Sequence, residues 1–315
     1  MPGFEHDVVI VGAGPNGLAA AIFLAQAGLD VKILEKSDTP GGGARSAELT
    51  LPGFVHDVCS AVHPLCVASP FFSSLPLEEF GLRWIKPPLA MAHPFQDGSA
   101  AILSTSLDLT ADSLGKDAHA YKRLFQPFMQ NWEKLAPAIL GPLRLQKHML
   151  SLVPFGLKAL RSAQGLSAAT FAQAPARAFF AGLAAHSMLP LLKSPSAAFG
   201  LILGLLGHAT GWPIPLGGAQ RITDALVAYF ESLGGSIETQ FEVKILQDLP
   251  SSRLVLLDVT PKQLLEIAGF QRSQRYKKQL NHFQYGPGVF KMDWALRETM
   301  AFTAKDCTQT GRMQR

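Results

Sequence analysis

The first thirty-five residues constrain the fold more than any other part of the chain. Asp7-Val-Val-Ile-Val11 is an apolar run behind a charged start, the pattern of a strand buried on both faces. Gly12-x-Gly14-x-x-Gly17 follows at once, and Leu18 to Ala27 is rich in Ala and Leu and reads as a helix closed by Gly28. Val31 to Leu34 is a second short strand. The spacing predicts a βαβ unit in which each glycine has a physical task. One makes the tight turn, one leaves room for a pyrophosphate against the backbone, and one packs helix on strand. The helix N-terminus adds free N–H groups and the positive end of a dipole. Gly12, Ala13, Gly14, Pro15, Asn16 and Gly17 are therefore the expected phosphate-binding residues.

Glu35 stands 18 residues beyond Gly17 at the end of the second strand, where an acid accepts hydrogen bonds from both ribose hydroxyls. Its charge repels a 2′-phosphate, which argues against NADP; Lys36 beside it is a further candidate contact. Thr39-Pro-Gly41-Gly42-Gly43-Ala-Arg45 comes next. Three successive glycines let backbone approach a second part of the cofactor and expose several N–H donors. An NAD dehydrogenase has no need of such a loop, whereas extended FAD does.

A chain of 315 residues, 48% hydrophobic and 17% charged, is globular and long enough for two domains. Its net charge of +4, from 28 basic and 24 acidic residues, is a small excess. No run alternates basic with aromatic residues, so nucleic-acid binding is not expected. Cys59, Cys66 and Cys307 form no C-x-x-C pair, which argues against protein dithiol chemistry. The absence of H-E-x-x-H and of clustered Cys/His ligands argues against a metal site, and no G-x-S-x-G nucleophile is present. No basic-then-apolar leader precedes the first strand, and Ala197 to Gly207 is too short to span a bilayer and reads as a buried helix. A cytoplasmic location is the expectation.

Arg83 to Ser104 reads as a meander of short strands broken by Pro87-Pro88, Pro94 and the Asp97-Gly98 turn. Leu114 to about Leu206 is mainly helical, with prolines 127, 137, 142, 154, 175, 190 and 195 as expected breaks. The α/β pattern then returns. Gly217-Gly218 precedes a helix carrying Ile222, Ala225, Leu226, Tyr229, Phe230 and Leu233, and Gly234-Gly235 stops it. Ile237 to Ile245 alternates as a strand with one wet face, and Leu254 to Val259 reads as a fully apolar strand. Thr260-Pro261 supplies an N-cap and first helical position.

Asp7-VVIVGAGPNGLAAAIFLAQAG-Leu29, Glu35-KSDTPGGGARS-Ala47 and Gly53-FVHDVCSAVHPL-Leu65 resemble the phytoene desaturase-related FAD oxidoreductases, in the branch of phytoene dehydrogenase-like and pyridine nucleotide-disulfide oxidoreductase domain-containing proteins. Gly211-WPIPLGGAQRITDAL-Val227, Leu254-VLLDVTP-Pro261 and Tyr285-GPGVFKMDWAL-Leu296 extend the likeness over nearly the whole chain. The resemblance implies an α/β flavoprotein: a Rossmann-type FAD/NAD(P)-binding domain with a mixed sheet-plus-helix substrate domain. It implies FAD-binding segments at 1–82 and 213–268, substrate-domain segments at 83–212 and 269–300, and a tail at 301–315. It places Gly41 and Gly42 behind the flavin and Val243 against the adenine through its backbone. Gly43 stands where many relatives carry Arg, and Arg45 is displaced by two. Relatives continue with a second FAD-binding segment, so a shortened chain is the expectation.

His56, Asp57 and His63 are candidates to line the flavin, or to brace the loop by hydrogen bonds. Lys291, on an expected alternating strand Val289 to Leu296, is a candidate to face the active-site cavity or solvent. In 141–163, Arg144, Lys147, His148, Lys158 and Arg161 fall within an arc of about 140° at 100° per residue. That stretch suits peripheral membrane contact through which an apolar substrate enters, and equally an ordinary core-facing helix. The expected activity is hydride transfer from an apolar, isoprenoid-like substrate to FAD. The alternatives are a non-redox lipid- or prenyl-binding protein of the GDP-dissociation-inhibitor type, or an inactive fragment.

Overall fold

A computed structural model describes residues 3–141, 149–268 and 273–310. The chain opens with β1 (His6–Val11), α1 (Pro15–Gln26), β2 (Val31–Leu34), β3 (Ser46–Glu48), β4 (Val55–Asp57) and α2 (Pro64–Ala68). Next come β5 (Trp84–Ile85), β6 (Met91–Pro94), β7 (Ala100–Leu103), α3 (Leu107–Ser113), α4 (Ala118–Met129) and α5 (Trp132–Leu140). After them follow α6 (Met149–Ala159), α7 (Ala163–Thr170), α8 (Ala174–Ala185), α9 (Ser196–Ala209) and β8 (Ile214–Pro215). The last elements are α10 (Gln220–Ser232), β9 (Ser236–Glu238), β10 (Ser252–Leu257), α11 (Pro261–Ile267) and α12 (Gln274–Asn281). They group into two compact units, one of residues 1–61, 75–83 and 215–295, the other of 62–74, 84–214 and 296–315.

The first unit is built on a parallel sheet in the order β10-β1-β2-β9. Val8 pairs with Val31 and Leu254, and Val11 with Leu34 and Leu257, so the C-terminal ends of three strands finish level. Val8, Val9 and Ile10 are buried, as befits a central parallel strand covered on both faces. Pro15 begins α1 at its first turn, where a missing N–H costs nothing. Leu18, Ala21, Ile22 and Ala25 form its buried face, and Gly28, at φ +81°, ends it. α10 buries Ile222, Ala225, Leu226 and Phe230 in the same unit.

The second unit is helical around the antiparallel pair β6–β7. Tyr121, Phe125, Phe179, Phe180, Leu183 and Leu201 form a solvent-free core. α9 lies close to its neighbours because glycine faces them. A Cβ on Gly204 would sit 2.7 Å from the Phe125 ring, and one on Gly207 2.4 Å from Leu103. Among the described residues no helix is long and apolar enough to cross a membrane.

Four expectations need correction. Pro127, Pro137 and Pro154 lie inside helices rather than between them. In α4, burial of Phe125 and Phe128 on either side of Pro127 outweighs the roughly 3 kcal/mol an interior proline costs. The strand expected to Ile245 stops at Glu238, and Gln240 turns the chain at φ +57°. Phe241 and Val243 still face the apolar cluster of Val9, Val11, Leu34 and Ile267, so their alternation reports burial rather than a ladder. Leu254 to Val259 is not a fully apolar strand: β10 runs Ser252–Leu257 at the edge of the described sheet, the polar Asp258 follows it, and Leu254 is 46% exposed. Val289 to Leu296 forms no strand; none of the described strands pairs with it, and Phe290 is 87% exposed.

Candidate functional site

The level ends of β1, β2 and β10 open on a cleft of about 350 Å³, in the range of small-molecule pockets. Ligands of open parallel sheets bind in this crevice outside the carboxyl ends of the strands. Gly12, Glu35, Lys36 and Val243 all line it.

The glycine turn is held from two directions. Glu35 Oε2 accepts the Ala13 N–H at 2.7 Å while its Oε1 accepts the Ser37 N–H at 2.8 Å. Gly12, at φ +107°, brings its backbone so near β10 that a Cβ there would lie 2.7 Å from the Asp258 carbonyl oxygen. Gly41 donates its N–H to the Ala13 carbonyl at 2.9 Å, and a Cβ on Gly42 would meet Gly14 Cα at 3.2 Å. The triple-glycine loop thus lies directly on the dinucleotide turn. A side chain at Gly42 would push against that turn, whereas a Cβ on Gly41, at φ +135°, would meet Thr223 Oγ1 at 2.9 Å.

On the opposite wall Lys36 Nζ pairs with Glu242 Oε1 at 2.5 Å. This hydrogen bond raises the Lys36 ammonium above its ordinary range and lowers the Glu242 carboxyl. Phe241 anchors this wall by donating its N–H to the Glu35 carbonyl at 2.9 Å. Val243 follows without a strand, buried in the apolar cluster behind the cleft that it also lines.

Sequence reasoning missed Asp258, Gln263 and Glu266, which complete the lining. The signal was present: Thr260-Pro261 marks a helix start immediately after a strand, and residues between those two points lie at the strand's C-terminal end. Thr260 and Gln263 form a capping box there. Asp258 Oδ2 accepts the Gly17 N–H at 2.9 Å.

The other candidates lie elsewhere. Asp57 Oδ1 accepts from Ser46 Oγ at 2.7 Å and from the Ala219 N–H at 2.6 Å, tying β4 to the start of α10. His56 Nε2 lies 2.7 Å from Thr50 Oγ1 and its Nδ1 3.6 Å from Asp293 Oδ1. Lys291 pairs with the same Asp293 on the exposed 289–296 segment. His63 belongs to the second unit, its ring 6.3 Å from that of Trp84. None of these four lines the cleft. Arg45 turns back on its own loop, with Nε donating to the Gly42 carbonyl at 2.8 Å. Burial pushes the Cys66 thiol up to about 11, so it is held protonated.

Residues 10–71 match the NAD(P)-binding Rossmann-like domain family. A limonene dehydrogenase chain of Castellaniella defragrans is 30% identical over 142 residues, 44% of this chain and 26% of that protein. Hydroxyneurosporene desaturase of Rhodobacter capsulatus is 33% identical over 144 residues, 44% of this chain and 29% of that protein. The mouse pyridine nucleotide-disulfide oxidoreductase domain-containing protein 2 is 25% identical over 77% of this chain and 48% of its own length. The chain thus spans about half, or less, of these relatives. Among solved structures, an oxidoreductase from Methanosarcina mazei superposes with a TM-score of 0.61 at 18% identity, over 88% of this chain and 65% of that one, a likeness of fold. Over part of its length the chain is therefore similar to a dehydrogenase and a desaturase, with a Rossmann-like dinucleotide-binding unit matched at residues 10–71.

Proposed function

We propose that the protein is an FAD-dependent oxidoreductase of the dehydrogenase or desaturase type that removes hydride from an apolar, isoprenoid-like substrate. The observation that carries this reading is the Gly41–Gly42 loop packed on the Gly12–Gly17 turn beside a cleft containing Glu35. A glycine turn alone suits any dinucleotide, whereas the second glycine loop offers backbone to a longer cofactor. The residues fit the group in kind. Glu35 and Lys36 would hold the ribose, the Val243 backbone the adenine, and Gly12, Ala13, Gly14, Pro15, Asn16 and Gly17 the diphosphate. Gly41 and Gly42 would support the part nearer the flavin. Bound FAD supplies the hydride acceptor, while the protein orients substrate and excludes water.

The relatives named for limonene and hydroxyneurosporene support an apolar, carbon-rich substrate. The helical second unit is the proposed substrate domain, and a peripheral membrane contact within 141–163 is its proposed entry. Arg144, Lys147 and His148 lie outside the described residues. The described part supports the reading differently from its charge pattern: Phe155 and Ala159 face the core, while Val153, Leu157 and Leu160 are at least half exposed.

The test is cofactor uptake. The purified protein is expected to be yellow, or to bind added FAD in calorimetry. A colourless protein that takes up no FAD overturns the proposal.

A further inference from the structure

Asp258 occupies a position that conflicts with the ligand proposed for the cleft. Its backbone N–H donates to the Val11 carbonyl at 2.9 Å, which fixes the residue at the mouth of the glycine turn. Its Oδ2 takes the Gly17 N–H at 2.9 Å and lies 3.4 Å from where a Cβ on Gly14 would be. Of the first three residues of α1, Pro15 has no N–H and Gly17 gives its own to Asp258, so Asn16 is the remaining first-turn donor. An anion already sits at the positive end of the helix, where dinucleotide phosphates are otherwise received.

Nearby cations do not neutralise it. Lys36 and Lys244, the basic residues lining the cleft, both lean on Glu242, at 2.5 Å and 3.9 Å. Among the described residues Asp258 has no ion pair with Lys, Arg or His. Two like charges a few ångströms apart repel strongly near a protein surface. Asp258 is exposed, which gives the side chain room to turn away.

We propose that Asp258 sets the affinity of the site as an internal competitor of the cofactor's diphosphate, its carboxylate holding the α1 terminus until the phosphates displace it. The proposal rests on the cofactor reading above. It discriminates within the ligand: the phosphates meet the competing charge, whereas adenosine, bound toward Glu35 and Val243, does not.

Calorimetric titration of the intact chain with adenosine, ADP and FAD, in wild type and Asp258→Asn, separates these cases. The asparagine Oδ1 still accepts the Gly17 N–H, and its amide adds a donor toward phosphate. ADP and FAD are expected to bind at least about tenfold more tightly to the variant, a difference of about 1.4 kcal/mol, with adenosine unchanged. Asp258→Ser, which lacks the charge but keeps a hydroxyl acceptor, should move in the same direction. If ADP and FAD bind both variants no better than wild type, the competitor role is wrong while the cofactor reading stands. If none of the three ligands binds any of the proteins, both fall. If neither variant folds, Asp258 is a structural cap on α1, and the competitor role falls alone.

Discussion

Glu35 and Ala13 are joined across the βαβ unit by a 2.7 Å hydrogen bond from the Ala13 N–H to Glu35 Oε2. One carboxylate therefore fastens the glycine turn to the end of β2 and also lines the cleft. Its structural role and its proposed binding role thus rest on a single side chain, and substitution separates them. Glu35→Ala leaves the Ala13 and Ser37 N–H groups without their acceptor and is expected to lower stability by about 1–3 kcal/mol, measured by urea unfolding. Glu35→Gln, with one carbonyl oxygen, should recover part of that stability. It should also relax discrimination against a 2′-phosphate, seen as a narrower gap between the affinities for ADP and 2′-phospho-ADP.

A second buried pair controls acid stability in the helical unit. His208 Nδ1 lies 2.7 Å from the Ser104 carbonyl, which only accepts, so Nδ1 carries the proton and Nε2 accepts from Tyr121 Oη at 2.8 Å. Burial lowers His208 from 6.5 to about 4. Between those values the unfolded chain binds the extra proton and the folded one does not. The stability linked to this group is complete above about 6.5 and falls away as pH drops toward about 4, by on the order of 3 kcal/mol. Urea unfolding across that range should show the slope in wild type and a flatter line in His208→Gln. At neutral pH, Tyr121→Phe should cost about 1–3 kcal/mol by leaving the His208 acceptor buried without its partner.

Asp117 is buried, and its two oxygens accept the Ala172 and Gln173 N–H groups at 2.8 and 2.7 Å. It fixes the link between α7 and α8 to the start of α4. Asp117→Ala orphans both donors and should lower the midpoint of thermal unfolding more than Asp117→Asn, which keeps one acceptor. Equal losses from the two variants would show that the paired acceptors are not what the position supplies.

The parts legible in the sequence are those where local chemistry decides the outcome. Gly12, Gly14, Gly17 and Glu35 sit at spacings that the turn itself requires, and Thr260 with Pro261 announces a helix start through capping alone. Asp258 was legible as a residue at a strand's C-terminal end but not as the partner of Gly17, because that bond depends on β10 pairing beside β1 across some 240 residues of chain. Alternation at 237–245 and 289–296 was legible as pattern but not as pairing. At 237–245 period two records which side chains face inward, at 289–296 even the apolar phase is exposed, and in both a strand needs a neighbour for its N–H and C=O groups. The interior prolines of α4 and α5 escaped for the converse reason, since buried aromatic and leucine contacts override a local preference.

The outer face of α6 yields the last prediction. Val153, Leu157 and Leu160 recur at intervals of four and three, which places them together on one side of a helix. They are 50%, 67% and 67% exposed, whereas Phe155 and Ala159 are buried. Lys158 and Arg161 lie beside that apolar stripe, so the face combines hydrophobic area with positive charge, as interfacial helices do. Each leucine set into the acyl boundary contributes roughly 1.5–3 kcal/mol, and anionic lipid adds attraction for the basic residues. The protein should therefore float with vesicles containing phosphatidylserine more than with pure phosphatidylcholine. Leu157→Ser with Leu160→Ser should abolish flotation while leaving the thermal midpoint nearly unchanged, because neither side chain is in the core. Flotation that is absent, or equal for both vesicles and both proteins, would remove the membrane-entry reading and leave the nucleotide cleft untouched.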